Sequence, residues 1–182
     1  MTIRDIARVA ASSARIENVI KALEEDSSLE KSDTAAMIRA ARLAARQAMF
    51  DFPAIRKDCF AADDNGLIAT DAFSYSPYRV YSVSSGTGEV EFTFDSRGID
   101  VGKKGTYTVV YSVLPDVEGP IDAPLNIGVG IDLTAIGYLA ACHYCIMTGR
   151  HGEADFFMSR YEYTVGSSNM SRKVTIPKRA FK

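Results

Sequence analysis

The sequence predicts an α+β fold: long antiparallel helices packed around an apolar C-terminal helix, with a small inserted antiparallel β-sheet and an extended C-terminal tail. Three observations predict it. Apolar side chains recur at helical spacing before residue 50, and they alternate with a period of two between residues 78 and 113. Residues 130–149 are apolar nearly all round, with Asp132 the one charged side chain, so a helix there has no face for water and must be buried. The divisions that follow are an N-terminal helical pair (1–50), a small β domain with loops (51–127), a central apolar helix with its successor (128–166) and a basic tail (167–182).

Taking the elements in order, Thr2 and Asp5 stand three apart at the start of the apolar period, the arrangement of a capping box. Ile3, Ile6, Val9, Ile16, Val19, Ile20 and Leu23 then predict one helix from about residue 3 to about residue 25. The polar run Glu24-Glu25-Asp26-Ser27-Ser28 ends it. Ser32 caps the next helix, and the alanine-rich stretch Ala35 to Met49 favours helix by intrinsic propensity alone. Arg39, Arg42 and Arg46 share one face of it at spacings of three and four. This stripe is the candidate partner- or DNA-facing surface, although charged helix faces are most often simply solvated.

Pro53 stops the second helix, and Asp63-Asp64-Asn65-Gly66 is a tight turn entering strand-like sequence. Its paired carboxylates lack the spaced ligands and terminal glutamate of a calcium loop. Val90, Phe92 and Phe94 alternate with polar residues, as do Tyr107, Val109, Tyr111 and Val113, and Tyr78–Ser84 is a further strand. A sheet of three to five strands is expected. Asp116 to Asn126, broken by Pro120 and Pro124, returns to the apolar helix as an irregular connection. After the break at Gly149–Gly152, Glu153 to Tyr163 resumes a helical period with acids in the first turn, where the helix dipole favours them. From Thr164 onward the period dissolves, which predicts extended chain.

The chain of 182 residues suits one compact body with extensions. Five positive charges and no acids follow Gly166, so a net charge of −2 leaves −7 on the remainder. Three cysteines, two of them in the apolar helix, fit a reducing compartment better than a disulfide scaffold. The first residues lack the apolar core of a signal peptide, and the apolar helix is short for a bilayer and contains His143, so no membrane role is expected.

Chemistry-bearing motifs are weak. Cys142-His-Tyr-Cys145 is formally C-x-x-C, but it lies inside an apolar helix rather than at a helix start, and a zinc site would need two further placed ligands. Gly128-Val-Gly130 has Leu133 where a dinucleotide fingerprint needs its third glycine. With two histidines and no nucleophile-elbow motif, no catalytic, cofactor or metal residue is assigned, and no enzyme is expected.

Two early helices, an inserted sheet ending in Tyr111-Ser-Val-Leu-Pro115, the helix Leu133-Thr-Ala-Ile-Gly-Tyr-Leu-Ala-Ala141, a glycine break, and Glu153-Ala-Asp-Phe-Phe-Met-Ser-Arg-Tyr-Glu-Tyr163 form an order of elements. It resembles that of the head–tail connector (adaptor, head-completion) proteins of tailed bacteriophages, over residues 1–165. The resemblance implies a structural virion protein at the neck, assembled in the host cytoplasm as a ring, usually of twelve copies. It implies docking beneath the portal protein, tail or neck proteins on the far side, and DNA passing through the channel without specific recognition. It also implies a C-terminal extension that enters the portal. Here that extension is Ser167 to Lys182, with Arg172, Lys173, Val174, Ile176, Lys178, Arg179, Phe181 and Lys182 as the docking residues. The alternative is a nucleic-acid-binding protein that uses the arginine stripe and the basic tail.

Overall fold

The computed structural model describes residues 1–128 and 130–170, with side chains through residue 167. The fold is mixed α+β, five helices and two small antiparallel sheets among the described residues. The chain divides into a helical unit (Met1–Ala48, Val117–Leu125 and residues from Gly130 on) and a sheet unit (Met49–Asp116 with Asn126–Val129).

In the helical unit, α1 spans Ile3–Ser13 and α2 Glu17–Glu24. The single helix expected over 3–25 is therefore two. Arg15 takes a left-handed backbone (φ 55), the Arg15 and Ile16 N–H groups close a Schellman turn on the Ser12 and Ala11 carbonyls, and the apolar period restarts on a new axis. The periodicity of Val19, Ile20 and Leu23 belongs to that second axis. Thr2 and Asp5 form the capping box in both directions, the Asp5 N–H donating to Thr2 Oγ1 and the Thr2 N–H to Asp5 Oδ2.

Helix α3 spans Ser32–Asp51, starting at Ser32 itself. It buries Ala40, Ala41, Ala44, Ala45 and Ala48 completely, so its alanines serve close approach as well as propensity. Helix α4, Leu133–Met147, starts at Asp132, whose carboxylate accepts from the Ala135 N–H at 2.7 Å. It packs against α1 and against α5, which spans His151–Met170, and buries Ile136, Leu139, Ala140, Ala141, Cys142 and Cys145. Among the described residues no helix is long and apolar enough to cross a membrane. Helix α5 continues seven residues past Tyr163, so the expected extended segment does not begin at residue 164 or 167. Ser and Thr hydroxyls that lack apolar period there bond back to carbonyls one turn earlier, as Thr164 does to Arg160 and Ser167 to Thr164.

Where one sheet of three to five strands was expected, the sheet unit has two sheets, of four and three strands, built among the described residues from β1 Ile55–Ala62, β2 Leu67–Ala69, β3 Pro77–Ser85, β4 Gly88–Val90, β5 Thr93–Asp95, β6 Gly98–Asp100 and β7 Gly105–Val113. One sheet runs β1-β7-β3-β4 and the other β2-β6-β5, all antiparallel. The alternating run Glu89 to Asp95 is not one strand, because the chain leaves the first sheet after Val90 and enters the second at Thr93. Strand β1 lacks clean alternation because it is an edge strand, mostly exposed and covered by β7 along one side. Tyr107, Val109, Tyr111 and Val113 point inward with Val83, Ile68, Ile99 and Phe73 as the sheet core. Residues 117–125, assigned by sequence to the β domain, cluster instead with the helices.

Candidate interaction surfaces

The docking residues expected in the tail, Arg172, Lys173, Val174, Ile176, Lys178, Arg179, Phe181 and Lys182, lie outside the described residues. The arginine stripe lies within them. Arg39 is exposed, whereas Arg42 and Arg46 converge on one carboxylate: Arg42 donates to Glu118 Oε2 at 3.1 Å and Arg46 to Glu118 Oε1 at 2.5 Å. Arg42 also donates to the Gly119 carbonyl at 3.1 Å. Two of the three guanidiniums are thus engaged, and the shared carboxylate offsets one of the three positive charges the spacing alone implied. No local sequence signal marks Glu118, one of three acids in a proline-broken connection.

The same connection is tied to the start of α1. The Arg4 side chain reaches Asp122 through two hydrogen bonds of 2.6 and 2.8 Å, Asp26 at 2.8 Å and the Leu23 carbonyl at 2.6 Å. These carboxylates hold the guanidinium pKa further above its ordinary value, and Arg4 in turn holds the Asp122 carboxyl below the usual range. Backbone bonds from Arg4 N–H to Ile121 O and from Leu125 N–H to Met1 O complete the clasp. Residues 117–125 therefore strap the helical unit through two arginine centres.

Cys142 and Cys145 are buried in α4, and burial pushes both thiols above their ordinary pKa. Their neighbour His143 is partly buried, its Nε2 has no hydrogen-bond partner, and burial lowers its pKa. Among the described residues no group of three His, Cys, Asp or Glu side chains could hold a metal ion. The thiols have the environment of inert core residues, because a reactive or ligating thiol needs stabilisation of its thiolate.

The acidic turn is a structural cap. Asp63 Oδ1 accepts from the Asn65 and Leu67 N–H groups at 2.9 and 2.8 Å, and these bonds, the one from Leu67 first, lower its pKa. Gly66 (φ 85) lies so close to Lys103 N that a Cβ would sit 2.3 Å from it. Gly128 likewise abuts the Phe52 and Pro53 carbonyls, accounting for this glycine without a phosphate.

Other surfaces stay open. In the sheet unit Phe50 and Tyr78 meet edge-on at 5.2 Å while each remains about half exposed, and the Arg56 guanidinium lies 4.8 Å from the Tyr75 ring centroid. In the helical unit Phe156 is 53 % exposed and Tyr163 74 %. Compared with protein-family models and with curated proteins, the chain has no significant match.

Proposed function

We propose that this chain is a structural virion protein, a head–tail connector that forms a ring beneath a portal, docks through its C-terminal tail and joins the DNA-filled head to the tail. The observation that carries the reading is the order of elements. Two helical segments and the long α3 come first, the β unit is inserted, and the buried α4 and its partner α5 close the chain. In this reading α4 is the post around which long antiparallel helices pack, giving a rigid wedge suited to a ring. Its apolar surface on every side supports that role.

The charge distribution supports the rest. A body of net −7 carries a tail of +5, and an extended basic segment can add hydrogen bonds and ion pairs on a neighbour that the body itself would repel. A channel wall of negative charge lets a DNA duplex slide instead of adhering. Glu118 favours this over the nucleic-acid-binding alternative, because it occupies Arg42 and Arg46.

The test is co-sedimentation of the purified chain with the portal of a tailed phage that encodes it. A ring-sized complex is expected, and deletion of residues 171–182 abolishes it while circular dichroism shows the helices intact. Binding that survives the deletion rejects the docking role of the tail.

A further inference from the structure

The pairing of β3 with β7 skips two residues. Pro77 opposes Val113 and Arg79 opposes Ser112, so Tyr78 is passed over; Val80 opposes Tyr111 and Ser82 opposes Val110, so Tyr81 is passed over. Each skip is a β-bulge, and bulges re-aim the side chains of the strand that carries them. Alternation alone sends Tyr78 and Tyr81 to opposite faces of a strand. Here both rings stay outside the core, 50 % and 45 % exposed, and Arg79 is exposed between them in the chain.

Register also fixes what else shares the solvent face. Residues in register with the buried Val109 and Tyr111 face the core, and those in register with Thr108, Val110 and Ser112 face away from it. On β1 the outward positions include Ile55, Lys57 and Cys59, and Cys59 Sγ lies 3.5 Å from Thr108 Oγ1 on this face. No outward position of β1, β3 or β7 carries an acid. The Asp58 carboxylate is on the core side, accepting from Tyr111 at 2.8 Å, and Glu89 stands on β4, opposite Ser84 at the sheet margin. Among the described residues neither Lys57 nor Arg79 has an ion pair.

We infer that this face of the sheet binds a single-stranded nucleic acid, with bases stacked on Tyr78 and Tyr81 and phosphates held by Arg79 and Lys57. Exposed rings interleaved with cations that lack carboxylate partners match a single strand, because every base offers a ring face and every linkage a charge. A duplex fits less well: its bases are already stacked on one another, and two cations neutralise few of its phosphates. An acidic protein segment engages the cations but leaves the two rings without flat partners. The site uses neither the arginine stripe nor residues 171–182, and it stands independently of the connector reading.

Fluorescence anisotropy of the full chain with a labelled oligothymidine tests it. Wild type binds, and unlabelled single strand competes better than a duplex of the same length. Tyr78→Ala and Tyr81→Ala each weaken binding about fivefold or more, the loss of one stacked base, while Tyr81→Phe retains it. Arg79→Gln lowers the salt slope by about 0.7 of a logarithmic unit, the loss of one phosphate contact. Circular dichroism confirms that each variant is folded. Binding that survives the alanine and glutamine substitutions belongs to the arginine stripe or the tail and overturns the inference. So does a wild type that does not bind, or a duplex that competes equally. Poly-glutamate that displaces the strand as effectively as oligothymidine overturns it in favour of an acidic protein. Portal docking is untouched by any of these results.

Discussion

A Cβ placed on Gly137 of α4 would lie 2.3 Å from Cγ1 of Val9 in α1, well inside van der Waals contact. The two helices touch backbone to side chain at this point. Gly137→Ala gains helix propensity of about 1 kcal/mol, yet the overpacking at Val9 costs about 1–3 kcal/mol, and net destabilisation is expected. Urea denaturation measures it. The double variant Val9→Ala with Gly137→Ala recovers part of the loss, because the methyl then has room.

Tyr111 is fully buried in the sheet core and donates to Asp58 at 2.8 Å. Burial, followed by that bond, pushes its pKa up to about 12. A raised folded-state pKa means the contribution is whole below the ordinary tyrosine value and is lost as pH climbs toward that raised value. Unfolding midpoints of the wild type therefore fall in that alkaline window. Tyr111→Phe costs about 1 kcal/mol at neutral pH and removes this alkaline step; a variant that keeps the step assigns it to another group.

Asp122 has the opposite sign. Arg4 lowers its pKa, so its contribution is present above the ordinary carboxylate range and disappears as pH falls through it. Asp63, stabilised by the Leu67 and Asn65 N–H groups, behaves in the same way. Asp122→Asn lowers the thermal midpoint near neutrality and flattens the acid limb of the midpoint-against-pH curve. An acid limb of unchanged steepness contradicts the Arg4 clasp as its source.

The Glu118 carboxylate is shared between Arg42 and Arg46 and offsets one of their two charges. Glu118→Gln therefore frees a stripe of three arginines, and the variant binds duplex DNA more tightly than wild type, with a steeper salt dependence of about one logarithmic unit per added phosphate contact. Fluorescence anisotropy at several salt concentrations reads both quantities. Equal slopes in the two proteins mean that the arginines are not released.

Several parts of the fold are legible along the chain because they depend on neighbours three or four residues away. The Thr2–Asp5 box, the alanine helix and the Asp63 turn are of this kind. The break between α1 and α2 is not, because a non-glycine left-handed residue carries no compositional mark. Strand β1 escapes a period-two search because an edge strand has little buried face to alternate. In the arginine stripe the spacing shows which side chains share a face, but a carboxylate more than seventy residues away decides which of them are engaged.

By itself the sequence determines that this chain is α+β, that residues 133–147 must be buried, and that charge is split between an acidic body and a basic end. Those properties are set by composition and local periodicity, which folding cannot change. Tertiary structure alone decides that Glu89 to Asp95 serves two sheets, that residues 117–125 strap the helices through Arg4, Arg42 and Arg46, and that two skips in the β3–β7 register leave Tyr78 and Tyr81 exposed. Each of these depends on groups far apart in the chain, and no local preference encodes which distant surfaces meet.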